Sequence, residues 1–466
     1  MNKKNQLAKY VISDLVAASV VWLLFNIIRY NEIAFYIGYT SRMNYLLSDV
    51  VLEGQLVLPF FWLFIHYLSG YYNKPFGKSR ISEFFTTFVT VSVGVILLFF
   101  IMILNDLPRS FHIYYQLFFS LFGLQFVLTY IPRLIITQNS LYRIKERGWS
   151  QRVLIIGAGN KAGDIAANLY NSGYTISGFI VEDEKVQVAV DSTQILGTIH
   201  DLAHIITSER IDELVVATAS MRSEKLVHIL YPLYRYKLPV KILADKSFVL
   251  PAVKIKTILG VPLVDVTDNN FSEAEKNIKF LLDKLFSVWA LLVLSPLCAY
   301  IVWRIKKDSS GSVFFRQERI GYMGRPFMIY KFRTMYENSE NDGPLLASEN
   351  DGRVTPFGRI MRKYRIDELP QFWNVLKGDM SLVGPRPERK YFIDQIVKKA
   401  PYYYLLHNVR PGITSLGMVK YGYAGNVDEM IERLEYDMLY YENMSLIMDL
   451  TILTYTIKTV ITGKGI

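Results

Sequence analysis

Two adjacent carboxylates, Asp367 and Glu368, stand inside a strongly basic stretch of the chain. The basic residues that flank them are Arg359, Arg362, Lys363, Arg365, Arg386, Arg389 and Lys390. Cations beside a carboxylate pair neutralise phosphates and bring them up to an anionic nucleophile or a bound metal ion. A solvated helix with charge pairs is the alternative, but it leaves the rigid turn Gly384–Pro387 unexplained. The pattern therefore predicts phosphoryl-transfer chemistry.

The motifs around the pair resemble those of the bacterial sugar transferases, the family of polyprenyl-phosphate hexose-1-phosphate transferases. The matching segments are Phe314–Gly321, Ile329–Met335 and Val354–Arg362 upstream of the pair and Arg410–Thr414 downstream of it. The resemblance covers roughly Lys276 to Ile466 and rests on several ordered motifs, which is more specific than one short motif. It implies transfer of a hexose 1-phosphate from a UDP-sugar to undecaprenyl phosphate.

The resemblance also implies roles for individual residues. Asp367 is expected to attack the sugar-bearing phosphate, to release UMP through a phospho-aspartate intermediate, and to bind Mg²⁺. Glu368 is expected to assist it as a proton acceptor. Four basic residues match positions expected to bind substrate: Arg362, Arg386, Lys331 and Arg333. For the last two, a structural ion pair fits the sequence equally well.

Local geometry and one departure from the family complete this description. Adjacent residues point about 100° apart on a regular helix, so a shared role predicts that Asp367 and Glu368 precede a helix. Pro370 suits the first turn of that helix. After Arg410–Thr414 the sequence Ser415–Gly425 departs from the usual family pattern. The resemblance therefore does not identify the hexose.

Composition indicates a membrane protein. Hydrophobic residues make up 51% of the 466 residues, and the mean hydropathy is +0.20, which is too apolar for an ordinary soluble enzyme. The net charge is +10, and residues 304–410 contain 20 basic and 12 acidic side chains. This excess indicates an anionic ligand or membrane surface. No helix-turn-helix or zinc-finger signature supports nucleic acid as the partner.

Four apolar stretches before residue 150 are long enough to cross about 30 Å of hydrocarbon, and they are Tyr10–Ile28, Val50–Leu68, Phe84–Leu104 and Ile113–Ile131. Basic residues lie before the first, between the second and third, and after the fourth, where Arg133 counts as a loop charge. The positive-inside rule then places both ends of a four-helix bundle, residues 1–148, in the cytoplasm. We expect a multi-pass protein of the bacterial inner membrane, with its catalytic domain on the cytoplasmic face.

A fifth apolar run, within residues 279–304, has basic residues on both flanks and Ser295-Pro296 in its middle. Proline removes a backbone hydrogen bond and kinks a helix, and a serine hydroxyl satisfies freed backbone groups. A complete crossing would put the following basic domain outside, away from cytosolic sugar nucleotides. The sequence therefore predicts a re-entrant helix, as the resemblance also implies.

The middle of the chain predicts a Rossmann-like α/β domain over residues 149–268. Gly157, Gly159 and Gly163 form a glycine turn between a strand and a helix, where a pyrophosphate could bind. Glu182 and Asp183 could then reach a ribose hydroxyl. The alternative, which the sequence favours, is that the glycines only permit close packing of helix on strand. The resemblance implies that this domain is non-catalytic.

The predicted fold is a multidomain membrane protein. A four-helix transmembrane bundle precedes the Rossmann-like domain, and a re-entrant helix with a small α-rich catalytic domain occupies residues 276–466. Leu446–Val460 reads as an amphipathic helix that lies on membrane lipid. The alternative function is a membrane-anchored nucleotide sensor without transferase activity. The oligomeric state stays open, with a homodimer as one option.

Overall fold

The computed structural model describes residues 3–35, 38–76, 78–102, 110–146, 151–171, 174–181, 189–217, 223–243, 256–258, 261–269, 271–336 and 351–462. The chain divides into two compact units. One unit comprises Met1–Trp149 and Ser272–Ile278, and the other comprises Ser150–Phe271 and Lys279–Ile466. The predicted ribose-binding residues Glu182 and Asp183 lie outside the described residues.

The first unit is a bundle of long apolar helices. Its helices are α1 Lys3–Arg29, α2 Arg42–Leu46, α3 Asp49–Leu68, α4 Arg80–Ile101 and α5 Phe111–Glu146. A π-helical turn, Tyr30–Ala34, extends α1. Four helices are long and apolar enough to cross a membrane, over Lys3–Ala34, Asp49–Leu68, Arg80–Ile101 and Phe111–Ser140. The prediction of four apolar spans is confirmed.

Two tryptophans fill the centre of this bundle because small residues face them. The indole of Trp22 packs on Gly54, where a β-carbon would come within 2.4 Å of the ring. Trp62 packs on Gly94 in the same way. Both indoles are almost completely buried. Glycine at these positions lets helices approach closely, which is how helices pack where the solvent is itself apolar.

The bundle also buries a group of polar and charged side chains, and sequence analysis placed one of them, Arg133, in a loop. Arg133 lies inside α5 and not in a loop, and its guanidinium donates two hydrogen bonds to Asp14, at 2.7 and 2.8 Å. Both side chains are completely buried. Tyr72 donates to the same carboxylate at 2.7 Å, and Arg133 donates to Thr87 at 3.1 Å. The assignment of Arg133 as a loop charge was wrong, because pairing with Asp14 permits its burial.

The second unit begins with a seven-stranded sheet in the order β3-β2-β1-β4-β5-β7-β6. The strands are β1 Arg152–Ile156, β2 Thr175–Val181, β3 Ile195–Thr198, β4 Glu213–Val216, β5 Val240–Leu243, β6 Lys256–Ile258 and β7 Val261–Asp265. Helices α6 Asn160–Asn171, α7 Leu202–Ser208 and α8 Ser223–Tyr234 accompany them. The first five strands are parallel, while β7 runs antiparallel to β5 and β6. A mostly parallel α/β sheet was predicted and is confirmed.

The glycine turn lies where the sequence put it, between β1 and α6. Gly157 has φ 126°, and its amide donates to Ile180 in β2. A β-carbon at Gly159 would meet open space, whereas one at Gly163 would lie 3.8 Å from Val190. The left-handed φ therefore explains the first glycine by itself. The described contacts do not call for a ligand at this turn.

The transferase region completes the second unit. Its long helices begin with α9 Glu273–Val293, whose first residues belong to the bundle unit, and α10 Ser295–Asp308. The remaining helices are α11 Pro356–Lys363, α12 Gln371–Lys377, α13 Lys390–Lys399, α14 Leu416–Lys420, α15 Val427–Glu442 and α16 Leu446–Ile461. An antiparallel hairpin joins β8 Phe314–Ile320 to β9 Pro326–Phe332, and a short parallel pair joins β10 Ser381–Val383 to β11 Gly412–Thr414.

Helices α9 and α10 form a broken pair that bends by 61° at Ser295-Pro296. In an unbroken helix the amide of residue 296 would donate to the carbonyl of Leu292, but proline has no amide hydrogen. The hydroxyl of Ser295 donates to that carbonyl at 2.8 Å instead. The two residues thus create the bend and satisfy the backbone group that the bend exposes.

The C-terminal helix α16 has one buried charged side chain, Asp449, and this side chain contacts α9. Asp449 accepts a bond from Lys279 in α9 at 2.5 Å and one from Tyr440 in α15 at 2.7 Å. Ile447, Leu450 and Ile457 are exposed on the same helix. The helix therefore has a polar anchor turned inward and an apolar face turned outward, in agreement with the predicted amphipathic helix.

Candidate active site

Asp367 and Glu368 occupy a single 3₁₀ turn, Ile366–Glu368, between α11 and α12. Arg365 precedes the turn in a left-handed conformation, with φ 52°, and Pro370 is the residue at the N-terminal boundary of α12. The pair thus precedes a helix, as predicted. The tight turn breaks the helical phase, which lets two adjacent side chains serve one site.

A buried amide locks this turn against the hairpin. The side-chain oxygen of Asn374 in α12 accepts from the amide of Tyr330 at 3.1 Å, and its nitrogen donates to the carbonyl of Met328 at 2.7 Å. Both partners belong to β9, the strand that carries Lys331. Asn374 is completely buried. It therefore fixes the distance between the carboxylate pair and Lys331, a role that sequence analysis missed.

Lys331 bridges the two carboxylates. Its ammonium lies 2.7 Å from Glu368 Oε1 and 4.0 Å from Asp367 Oδ2. The guanidinium groups of Arg365 and Arg386 each lie 4.0 Å from Glu368. Glu368 is thus surrounded by three cations, while Asp367 has Lys331 at a longer distance.

The two carboxyl groups consequently ionise differently. Burial, together with the charge of Glu368, raises the pKa of Asp367 to about 6 despite the nearby Lys331. Burial also acts to raise the pKa of Glu368, but Lys331, Arg386 and Arg365 outweigh it and lower that pKa to about 2. Glu368 is therefore the more readily ionised carboxyl group of the two.

Asp367 faces a cavity of about 770 Å³, a size that suits a ligand as large as a nucleotide sugar. Nine basic and two acidic side chains line it among the described residues. The basic ones are Arg316, Arg319, Lys331, Arg333, Arg353, Arg362, Arg386, Arg389 and Arg433, and the acidic ones are Asp367 and Glu388. Such an excess of positive charge in a concave site attracts polyanions.

The predicted substrate-binding arginines occupy this cavity in different ways. Arg362 donates from Nε to the hydroxyl of Thr334 at 3.0 Å. Arg333 uses both terminal nitrogens on the residues that follow α10: it donates to the carbonyls of Ser309 and Ser310, each at 2.7 Å. Arg333 thus holds the end of α10 against β9, as a structural residue would.

Arg386 is placed by the turn that the sequence singled out. Its amide lies 3.4 Å from Asp437, and its Nε lies 3.9 Å from Glu388. A β-carbon on Gly384 would lie 2.3 Å from the carbonyl of Arg410. Only glycine fits there, so the turn packs directly on the Arg410–Thr414 segment. Two of the predicted family motifs are thereby brought together.

Glu388 organises a group of arginines that sequence analysis did not assign. It accepts from Arg433 at 2.6 Å and from Arg319 at 3.3 Å. All three side chains are buried or nearly so. The available signal was the position of Glu388 directly after the Pro-Arg-Pro turn and of Arg319 within Phe314–Gly321. Their partner Arg433 lies in α15, which no motif marked.

The remaining predicted residues lie elsewhere. Gly157 and Gly159 lie in the turn after β1 and Gly163 lies in α6, and none of the three is among the described residues that line the cavity. Ser295 and Pro296 form the bend between α9 and α10. The cavity therefore unites Asp367, Lys331, Arg333, Arg362 and Arg386, with Glu368 bonded to Lys331 at its edge.

Asp367 is a candidate ligand for a metal ion at this site. Within the described residues, no group of three His, Cys, Asp or Glu side chains is arranged to hold a metal ion. Mg²⁺ is commonly bound through one or two carboxylates together with substrate phosphates. Asp367, a carboxylate that faces the cationic cavity, fits that mode of binding.

Sequence comparisons agree with this geometry. The sequence model of the bacterial sugar transferase family matches residues 274–463, and that of a CoA-binding domain matches residues 67–244. The chain is 48% identical over 184 residues to the UDP-N-acetylgalactosamine-undecaprenyl-phosphate N-acetylgalactosaminephosphotransferase of Aeromonas hydrophila, covering 40% of this chain and 44% of that protein.

Two further relatives are named UDP-glucose:undecaprenyl-phosphate glucose-1-phosphate transferase. The protein of Klebsiella pneumoniae is 32% identical over 289 residues, covering 61% of this chain and 62% of the relative. The protein of Xanthomonas campestris is 32% identical over 330 residues, covering 67% of each chain. The chain thus spans less than two thirds of the Aeromonas and Klebsiella proteins. Its motifs, its cavity and these matches together show that it belongs to the bacterial sugar transferase family.

Proposed function

We propose that this protein transfers a hexose 1-phosphate from a UDP-sugar to undecaprenyl phosphate, giving an undecaprenyl diphosphate sugar and UMP. The observation that carries the proposal is the position of Asp367, which faces a cavity that nine basic side chains line within the described part of the chain. Both substrates are phosphate anions that repel each other and a carboxylate nucleophile. This repulsion is a main part of the barrier in phosphoryl transfer, and a cationic cavity lowers it.

The proposed reaction has two displacements at one phosphorus atom. An Asp367 carboxylate oxygen first attacks the sugar-bearing phosphorus, the bond to the bridging oxygen breaks, and UMP leaves with that oxygen. An oxygen of undecaprenyl phosphate then attacks the same phosphorus, and the bond to Asp367 breaks to restore the carboxylate. The phosphoanhydride of the donor is exchanged for that of the product. No net redox change occurs.

The surrounding side chains would hold the reacting groups. Lys331, between the two carboxylates, would also neutralise the phosphate under attack. Arg362 lines the cavity from α11, and Arg386 lines it from the Pro-Arg-Pro turn, so the two could bind the two phosphates of the donor. Glu368 would keep Lys331 and Arg386 in place, because its lowered pKa keeps it charged.

Mg²⁺ is part of the proposal as a partner of Asp367 and the donor diphosphate. When bound, it would neutralise negative charge on the phosphates as a Lewis acid. Asp367 would hold it, and the arginines of the cavity would orient the phosphates that complete its coordination.

We further propose how the chain lies in the inner membrane. The four apolar helices of the bundle would cross it, and the bent α9–α10 pair would enter and leave on the cytoplasmic side, where sugar nucleotides are found. The exposed apolar residues Trp289 and Leu292 near the bend would then contact lipid. The product would serve as the first membrane intermediate of an exopolysaccharide, capsule or O-antigen.

The alternative function, a nucleotide sensor, would account for the glycine turn but not for the cationic cavity. We propose that the sheet domain is non-catalytic and supports the transferase region. Both contribute residues to one hydrophobic core, for example Leu233 from α8 and Leu406 from Pro401–Asn408. Tyr441 also donates to the carbonyl of Thr267 at 2.7 Å.

A transfer assay tests the function directly. The full chain in detergent with undecaprenyl phosphate and Mg²⁺ is given radiolabelled UDP-glucose, UDP-galactose and their N-acetylated forms in turn. We expect one or more of these sugars to enter the butanol-extractable lipid with release of UMP. Asp367→Asn should lower the rate by more than about 10⁴-fold, as loss of a nucleophile does elsewhere.

Asp394→Asn is the matched control, because Asp394 is exposed on α13 and paired only at the surface with Lys390. It should transfer sugar at the parent rate. Near-normal transfer by Asp367→Asn would refute the nucleophile assignment. Absence of transfer from every nucleotide sugar offered, by a folded parent protein, would refute the proposed reaction.

A further inference from the structure

The segment that departs from the family pattern, Ser415–Gly425, contributes an aromatic ring to the cavity. Tyr423 and Ala424 both line it. Ala424 is buried, whereas Tyr423 has 39% of its surface exposed. Tyr423 therefore presents part of an aromatic ring inside a cavity that many arginines line, where it is available to a ligand.

The loop that carries Tyr423 is held at both ends. At the C-terminal end of α14, the amides of Tyr421 and Gly422 both donate to the carbonyl of Gly417, at 3.0 and 3.1 Å. Asn426 caps α15 by accepting from the amide of Glu429 at 2.9 Å, and Glu429 in turn accepts from the amide of Gly425 at 2.6 Å. Because both flanking helices are capped, the ring is presented by a fixed backbone.

Arg386 connects this ring to the carboxylate pair. Its guanidinium carbon lies 5.7 Å from the centre of the Tyr423 ring, within the range of a cation–π contact. Its terminal nitrogen lies 4.0 Å from Glu368. One arginine therefore touches both the phosphate-handling pair and the aromatic surface.

The proposed reaction distinguishes the two ends of the donor. The hexose must extend from the phosphate that Asp367 attacks, and the nucleoside from the phosphate that leaves. The side chain of Arg386 lies between the Tyr423 ring and the carboxylate pair. The ring is therefore about one long side chain away from the pair, and this is the separation expected for the leaving nucleotide. A flat base stacks well on an aromatic ring, and the guanidinium beside it matches the adjoining phosphate.

We infer that Tyr423 stacks on the nucleobase of the nucleotide sugar and, with Arg386 on the adjoining phosphate, selects the nucleotide half of the donor. The inference rests on the proposed function, since it assigns one end of the same cavity. On this inference, the segment Ser415–Gly425 determines nucleotide binding and does not by itself determine which hexose is transferred.

Binding of UMP tests the assignment because UMP carries the base without a hexose. The full chain in detergent is titrated with UMP by calorimetry, and ribose 5-phosphate serves as the probe that lacks a base. Tyr423→Ala should raise the Kd for UMP at least about fivefold, the lower end of a base–aromatic stack. It should leave the weaker binding of ribose 5-phosphate unchanged, and Tyr423→Phe should restore UMP binding.

Tyr391→Ala is the matched control, because Tyr391 is an exposed tyrosine on α13 that does not line the cavity as described. It should bind UMP as the parent does. If Tyr423→Ala binds UMP normally but shows a raised KM for the UDP-sugar, the ring contacts the hexose and the inference is wrong. Equal losses for UMP and ribose 5-phosphate would also overturn it, because they would indicate a disturbed phosphate site.

The same measurements separate this inference from the proposed function. A parent that binds UMP in a Tyr423-dependent manner but transfers no sugar would disprove the reaction and retain the base assignment. A parent that transfers sugar while Tyr423→Ala and Tyr423→Phe bind UMP equally well would retain the reaction and disprove the base assignment. Circular dichroism of each variant shows whether it is folded.

Discussion

Two buried groups of charge in this protein have opposite character. In the helical bundle, Asp14 and Arg133 form a bidentate pair whose side chains are both completely buried. In the transferase region, Asp367 and Glu368 lie in surroundings where basic residues greatly outnumber acidic ones. The first group is electrically matched, and the second carries a positive excess that a ligand would have to neutralise.

This contrast separates a structural role from a binding role. A buried pair that satisfies itself, as the carboxylate of Asp14 does with Arg133 and Tyr72, needs nothing from outside. An excess of one sign of charge around a cavity destabilises the fold, and such an excess is typical of functional sites. Burial raises the pKa of Asp367, because the nearby cations offset it less fully there than they do for Glu368.

Breaking the matched pair should have the largest effect on folding. Arg133→Met removes the guanidinium that pairs with Asp14 inside the bundle, and loss of one partner of a buried pair typically costs about 3–5 kcal/mol. We expect a sharp fall in folded yield and in Tm of the detergent-solubilised protein. Lys9→Met, which removes an exposed charge from α1, should leave both unchanged.

The double variant Asp14→Leu with Arg133→Met sharpens the comparison. If the pair is structural only, replacing both charges should recover much of the stability, and transfer activity should return with it. Recovery of fold without recovery of activity would show that the pair also acts in function, contrary to the distinction drawn here.

Two arginines of the cavity should also differ in role, one structural and one substrate-binding, with smaller effects than those of the buried pair. Arg333→Ala removes donors to the Ser309 and Ser310 carbonyls, so we expect a lower Tm, by a loss of about 1–3 kcal/mol for groups left unsatisfied. Arg362→Ala should instead raise the KM for the UDP-sugar by about 10- to 100-fold, as loss of a charged contact to substrate does.

Steady-state kinetics and thermal unfolding of both variants decide the matter. The assignment fails if Arg362→Ala loses stability with an unchanged KM, or if Arg333→Ala raises the KM with an unchanged Tm.

The smallest expected effect is a shift in pH dependence. Asp367 must be ionised to attack phosphorus, and its pKa is raised to about 6, so kcat/KM should fall about tenfold per pH unit below that value. Glu368→Gln removes the neighbouring negative charge that helps to raise this pKa. The acid limb of the profile should therefore move to lower pH.

The profile is read from initial rates between pH 4.5 and about 8, with buffer and ionic strength held constant. Glu388→Gln changes a carboxylate of the same cavity that is paired with arginines, and it serves as the comparison variant. A shift of the acid limb toward higher pH in Glu368→Gln would contradict the coupling between the two carboxylates.

Patterns along the chain predicted the helices and strands more fully than the side-chain contacts between them. Four apolar spans, the alternating α/β segment and the Ser-Pro break were visible because each depends on local composition or on residues adjacent in sequence. Arg133 was misplaced because hydropathy records a charge but not its partner, and Asp14 is 119 residues away. Asn374 and Arg433 escaped notice because neither lies in a motif that signals a bond to β9 or to Glu388.

The sequence by itself determined the family, the apolar helices and the identity of the carboxylate pair, since these follow from residue types at short spacing. Only the tertiary structure decided which cations act on which carboxylate. Lys331 comes from a hairpin and Arg386 from a turn beyond α12, and both meet Glu368 because Asn374 and Gly384 fix those segments. Electrostatic effects depend on distance and burial, which a linear pattern does not contain.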